Sequence, residues 1–155
     1  MAIMEYFTPT HVYFGEGAWE KAGEVLKENG ATKVLVHFGS GSVKRTGLLD
    51  KVEAKLDEAG IAYIELGGVV PNPRVSLVRK GIKLYKSEGC DFILAVGGGS
   101  AMDVAKCIKL YSNLPGDGLD GSWLNADIVP NSIPFIAMPT IRAKNKIPNA
   151  DRKST

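Results

Sequence analysis

Residues 91–106 read Asp91-Phe92-Ile93-Leu94-Ala95-Val96-Gly97-Gly98-Gly99-Ser100-Ala101-Met102-Asp103-Val104-Ala105-Lys106. An apolar run passes into three consecutive glycines, and a serine then opens an amphipathic segment. This order predicts a buried strand that turns sharply into a helix. Such a junction offers unpaired backbone N–H groups and the positive end of a helix dipole, both suited to a phosphate. Three glycines clear the side chains that would hold a pyrophosphate off the backbone, and they permit positive φ. Ser100 is the expected N-cap, with Asp103 three residues on in an S-x-x-D arrangement. The same pattern also describes a tight strand-to-helix turn that holds no ligand, so the rest of the chain has to decide.

Working outward, strand-like and helix-like patterns alternate. Residues 11–14 are β-prone and end at a Gly15-Glu16-Gly17 turn; residues 18–28 then read as a helix stopped at Gly30. The near-continuous apolar run 33–38 fits a parallel strand covered on both faces. A loop, Gly39-Ser40-Gly41-Ser42, precedes a helix over about 46–59, and a strand follows at 62–66. Gly67-Gly68 and Pro71-Asn72-Pro73 interrupt regular structure before a helix over 74–87. After the glycine turn, Ala101, Val104, Ala105, Ile108 and Tyr111 mark another helix; 113–132 reads as a long loop and 133–138 as a last short strand. Strands separated by helices of this length imply βαβ crossovers, hence a three-layer, Rossmann-like α/β domain with a mostly parallel sheet and an N-terminal strand segment. In such sheets ligands sit beyond the carboxyl ends of the strands. The loops at 39–42, 67–73, 97–100 and 139–140 all fall there, and their small residues leave room for a nucleotide.

Composition narrows the class. The 155 residues are 45% hydrophobic and 23% charged, ordinary for a single globular domain. No apolar run approaches a membrane span of about 20 residues, and the first residues do not read as a signal peptide. Cys90 and Cys107 are too few and too far apart for a disulfide framework or a metal knuckle, so reduced thiols and a cytoplasmic location are expected. The net charge of +2 is uneven: residues 142–155 carry five cations against Asp151 alone, leaving 14 basic and 16 acidic residues before them. The mildly acidic body is not a nucleic-acid surface, and the basic end reads as a solvated, disordered tail.

Four segments, Phe14-Gly15-Glu16-Gly17-Ala18, Pro71-Asn72-Pro73, the Gly97–Lys106 block and Met138-Pro139-Thr140, make the chain resemble the nucleotide-binding half of the iron-containing (group III) alcohol dehydrogenases, relatives of dehydroquinate synthase and glycerol dehydrogenase. The likeness covers nearly everything up to residue 141, which sets the expected dinucleotide-binding domain at 1–141. The resemblance implies that Gly97, Gly98, Gly99 and Ser100 wrap the pyrophosphate of NAD(P)(H). It implies further that Asp103 and Lys106 line the cleft, that Asn72 shapes its wall and that Thr140 lies near the adenine. On residue chemistry alone, Asp103 reads as helix-dipole compensation and Lys106 as a solvated side chain. Family members that prefer NAD place an aspartate after the second strand segment. This chain has Gly39 there, followed by Ser40, Ser42, Lys44 and Arg45, which favours NADP(H) over NAD(H) through a 2′-phosphate. Solvated charges beside a loop are the alternative reading of those cations.

After residue 141 the likeness ends. Family members continue with a Gly-Thr-Gly-Ser-Glu-like stretch and a helical domain that holds Fe²⁺ or Zn²⁺ through one aspartate and three histidines. Here the sequence runs Arg142-Ala143-Lys144-Asn145-Lys146, and the expectation is that the metal domain is absent. Only His11 and His37 are available, so neither a metal set nor a catalytic residue is assigned. The expected function is dinucleotide binding by part of a small-alcohol or aldehyde oxidoreductase, inactive as an isolated chain and self-associating, with a homodimer expected. The alternatives are a half-enzyme completed by a separate metal-domain chain and a non-enzymatic nucleotide-binding or interaction module.

Overall fold

A computed structural model of the chain describes residues 10–39, 41–69, 74–114 and 133–140. Its four strands, β1 (Lys33–Phe38), β2 (Ala62–Leu66), β3 (Phe92–Gly97) and β4 (Phe135–Pro139), form one all-parallel sheet in the order β2-β1-β3-β4. Side chains alternate along each strand and so feed two separate cores. Val34, Val36 and Phe38 of β1, with Phe92, Leu94 and Val96 of β3, pack against α1 (Ala22–Glu28) and α3 (Leu48–Ala59). Leu35, Ile93 and Ala95 face the opposite way, against α4 (Val75–Ser87) and α5 (Gly99–Ser112). Both central strands are buried on both faces, which accounts for their continuous apolar sequences.

Two glycines set how closely the helices approach. A Cβ on Gly23 would stand 2.2 Å from the Lys55 carbonyl oxygen, and one on Gly81 would stand 2.3 Å from Ile108 Cδ1. Hence α1 lies against α3 backbone to backbone, and on α4 the Gly81 backbone makes room for the Ile108 side chain of α5.

Three details depart from the sequence expectations. Residues 11–14 lack strand pairing, and Val12, Tyr13 and Phe14 are exposed. β-propensity supplies no ladder without a neighbouring strand, and none lies beside them among the described residues. The helix expected over about 46–59 forms as α3, but a further short helix, α2 (Ser42–Arg45), precedes it where no helix was expected, and Gly47 with φ 69° divides the two. The helix expected from residue 18 starts as a 3-10 turn over Ala18–Lys21 before α1. Ser40, Asn72, most of the expected 113–132 loop and the basic 142–155 tail lie outside the described residues. Among the described residues no helix is long and apolar enough to cross a membrane.

Candidate functional site

Parallel strands all finish on one edge, and here the connections leave that edge in opposite directions. After β1 the chain turns into the α2/α3 layer; after β3 it turns into α5 on the other face. The β1–β3 boundary is therefore the topological switch point, where open α/β sheets form their ligand crevice. Three strand ends meet there through backbone. The Gly39 N–H donates to the Val96 carbonyl at 3.3 Å, and the Thr140 N–H donates to the Gly97 carbonyl at 3.0 Å. Gly97 has φ 152°, and a Cβ on it would lie 3.1 Å from Ala101 Cβ and 3.2 Å from the Gly39 nitrogen. Only glycine joins β1, β3 and α5 at this spacing.

The helix start differs from the expectation in one residue role. Ser100 is not the N-cap. Gly98 holds that position in an extended conformation (φ −89°, ψ −174°), and its carbonyl accepts from the Ala101 and Met102 amides at 3.0 and 3.2 Å. Ser100 sits inside the first turn, and no side-chain cap or Ser100–Asp103 box forms. The physical reason is the turn itself: β3 ends at Gly97, and the extended Gly98 already starts the intrahelical bonding. A serine side chain is then not needed for capping. The amides of Gly99 and Ser100 belong to the first turn, where no preceding carbonyl exists to receive them. A Cβ built on Gly99 meets no atom beyond its own turn within 4 Å, so the space beside the first turn of α5 is open at this position. Asp103 and Lys106 lie farther along α5, both exposed.

The loop after β1 forms the flank of this crevice. Gly41, at φ 72°, caps α2, and the exposed Ser42 is its first residue. Lys44 does not stand free: its Nζ lies 3.0 Å from Glu65 Oε2 of β2 and 4.8 Å from the centre of the Phe38 ring. Arg45 has no ion-pair partner among the described residues. Phe38 also lies against the turn after β2, since a Cβ on Gly67 would come within 2.6 Å of its ring. Behind Glu65, burial and then the neighbouring Glu65 and Asp50 carboxylates push the Glu53 carboxyl up, against the opposing charge of Lys44. Sequence reasoning did not identify Glu65 or Phe38 as part of this edge. The alternation along β2 points Glu65 to the α3 side, but its pairing with Lys44 spans 21 positions and has no local signal.

His37 is fully buried near the carboxyl end of β1, where its Nδ1 lies 2.8 Å from the Leu66 carbonyl of β2. Burial pushes its pKa down to about 4, partly opposed by that bond. A neutral ring with Nδ1–H donating to Leu66 fits this setting. The thiol of Cys90 is pushed up to about 11 by burial, and that of Cys107 is also raised, so neither is poised as a nucleophile. Among the described residues no three His, Cys, Asp or Glu side chains come together to hold a metal ion. The donor set of a catalytic iron or zinc does not fit these residues, and no chemical step is assigned through one.

Comparison with known proteins agrees with this architecture. The profile of the iron-containing alcohol dehydrogenases matches residues 9–145. Over 120 residues the chain is 47% identical to a probable NADH-dependent butanol dehydrogenase 1 of Bacillus subtilis, covering 77% of this chain and 31% of that protein. It is 40% identical to the NADPH-dependent aldehyde reductase YqhD of Escherichia coli over 108 residues, 70% of this chain and 27% of that protein. The solved structure of NADH-dependent butanol dehydrogenase A from Thermotoga maritima superposes with a TM-score of 0.84 at 35% identity, over 91% of this chain and 35% of that one. The chain thus spans about a third of the length of these relatives. With its doubly wound sheet, its glycine-lined switch point and these matches, the chain belongs to the iron-containing alcohol dehydrogenase family.

Proposed function

We propose that residues 1–141 are the NAD(P)(H)-binding part of an oxidoreductase that interconverts small alcohols and aldehydes. The observation that carries this reading is the joining of Gly39, Gly97 and Thr140 into one backbone floor, directly before the Gly98-capped start of α5. Gly97 to Ser100 hold the pyrophosphate on backbone amides, with the helix dipole adding attraction for the anion. Gly39 leaves the ribose side of the floor without a side chain, with Ser40 and Ser42 in the same loop; Asp103 and Lys106 line the cleft, Asn72 shapes its wall and Thr140 lies on the adenine side. The nicotinamide, when bound, supplies the hydride acceptor or donor. The protein's own contribution here is to bind and orient the dinucleotide.

Of the two dinucleotides, the reading favours NADP(H). No carboxylate occupies position 39 to repel a 2′-phosphate, and Lys44 and Arg45 stand in the adjoining helix. Relatives with both NADH-dependent and NADPH-dependent names exist, so the preference is tested on the chain itself. Calorimetric titration with NADPH and NADH is expected to give binding of both, with NADPH tighter. Equal or tighter binding of NADH overturns the preference, and binding of neither overturns the function.

The exposed Val12, Tyr13 and Phe14 support a self-associating chain, with this β-prone segment pairing across a homodimer. Sedimentation analysis of the chain and of a Val12→Lys/Phe14→Lys variant tests this; a monomer in both cases overturns it.

A further inference from the structure

We infer that Glu65 is a specificity-determining residue of the dinucleotide site: it holds Lys44 in an ion pair that a 2′-phosphate must displace. The inference rests on the proposed dinucleotide function. It starts from where the two side chains stand. Lys44 lies in α2, immediately after the Gly39–Ser42 loop, and Glu65 is the penultimate residue of β2, the strand beside β1. Both therefore belong to the carboxyl edge of the sheet, on the flank of the switch point where Gly39 leaves a side-chain-free position.

The pair is built to be exchanged rather than locked. Lys44 Nζ and Glu65 Oε2 are 3.0 Å apart, yet the two side chains are 54% and 40% exposed. Exposed pairs of this kind gain little over solvated charges, so a competing dianion can take the ammonium at small cost. The Phe38 ring under the ammonium keeps Lys44 beside Gly39's strand whichever anion it faces. Without a bound anion, this arrangement draws Lys44 toward β2. A ribose 2′-hydroxyl makes no demand on that charge, whereas a 2′-phosphate does. Glu65 thereby tempers the preference for NADP(H) that Gly39 and the cations create, and keeps NAD(H) competitive.

Paired titrations of the chain with NADPH and NADH test the inference on Glu65→Gln, Lys44→Met and the double variant, with far-UV circular dichroism confirming that each is folded. Glu65→Gln is expected to tighten NADPH binding about threefold and leave NADH unchanged, the scale of one exposed ion pair. Lys44→Met is expected to weaken NADPH about tenfold without moving NADH, the scale of a hydrogen bond to a charged group. Adding Glu65→Gln to Lys44→Met is expected to give no further gain, because the carboxylate acts through that lysine. If Glu65→Gln moves both dinucleotides equally, or neither, the inference fails while dinucleotide binding stands. If the unsubstituted chain binds neither dinucleotide, the function reading falls and this inference falls with it.

Discussion

The two edges of the same parallel sheet are built by opposite means. At the amino edge, side chains do the fastening. The Asp91 carboxylate accepts from the Thr32 amide at 3.0 and 3.1 Å, from the Lys33 amide at 3.1 Å and from the Thr32 hydroxyl, while Lys33 pairs with Glu88 at 2.8 Å. At the switch point of the carboxyl edge β1, β3 and β4 meet through backbone, at Gly39, Gly97 and Thr140, and the space beside Gly99 in the first turn of α5 is left open. Saturating an edge with side-chain hydrogen bonds stabilises it but leaves no group for a ligand. Removing side chains exposes amides and space, at the cost of glycine's conformational entropy. The fold is thus fastened at one edge and made available at the other, and substitutions at the two edges are expected to separate stability from binding.

The largest expected effect is at the carboxyl edge itself. Gly97→Val places a β-branched side chain at φ 152° against Ala101 and the Gly39 backbone. A loss of about 3 kcal/mol is expected from strain and crowding together, with dinucleotide binding abolished. Denaturant unfolding and calorimetry check the two parts; a stable, binding-competent variant would break the claim that this junction admits only glycine.

Next comes acid sensitivity, centred on His37. Its folded pKa of about 4 lies below the ordinary 6.5, so between these values the unfolded chain binds a proton that the folded chain refuses. Stability is therefore fully present above about pH 6.5 and falls as the pH drops toward 4, by about 3 kcal/mol in all. His37→Gln is expected to flatten that stretch of the stability–pH curve, whatever its effect at neutral pH. An unchanged slope contradicts the burial argument.

At the amino edge, Asp91→Ala is expected to cost about 2 kcal/mol by leaving the Thr32 and Lys33 amides without their charged acceptor. Burial opposes ionisation of Asp91, but the Thr32 hydroxyl and the backbone amides outweigh it and hold its pKa low. Its stabilisation is accordingly present above about pH 4 and lost below it. Dinucleotide affinity is expected to stay unchanged, and a matching loss of affinity would erase the distinction between the edges. The smallest effect belongs to Glu88→Gln: the exposed pair with Lys33 is expected to leave the unfolding midpoint within measurement error.

How far the sequence discloses this depends on whether a feature is local. The central strands are legible because burial on both faces makes 33–38 and 92–97 continuously apolar. The α4 stripe of Val78, Ile82 and Tyr85 is legible from its spacing. The convergence of the strand ends follows from parallel topology alone, and the contacts among Gly39, Gly97 and Thr140 bear it out. Misreadings arise where a local preference is overruled. Ser100 has the chemistry of an N-cap, but the extended Gly98 starts the helix first. Val12 to Phe14 have strand propensity without a strand beside them. The Lys44–Glu65 pair joins two elements across the chain, and nothing in either segment announces the other.

The most direct test of the account is a calorimetric NADPH titration of Gly99→Leu beside the unsubstituted chain, with thermal unfolding of both. A side chain at position 99 enters open space, and leucine is a good helix former. Stability is expected to stay within about 0.5 kcal/mol. Affinity is expected to fall at least about tenfold, because the side chain occupies the volume assigned to the pyrophosphate. Undiminished NADPH affinity in a fully folded Gly99→Leu variant would contradict the claim that the glycine turn of β3–α5 is where the dinucleotide binds.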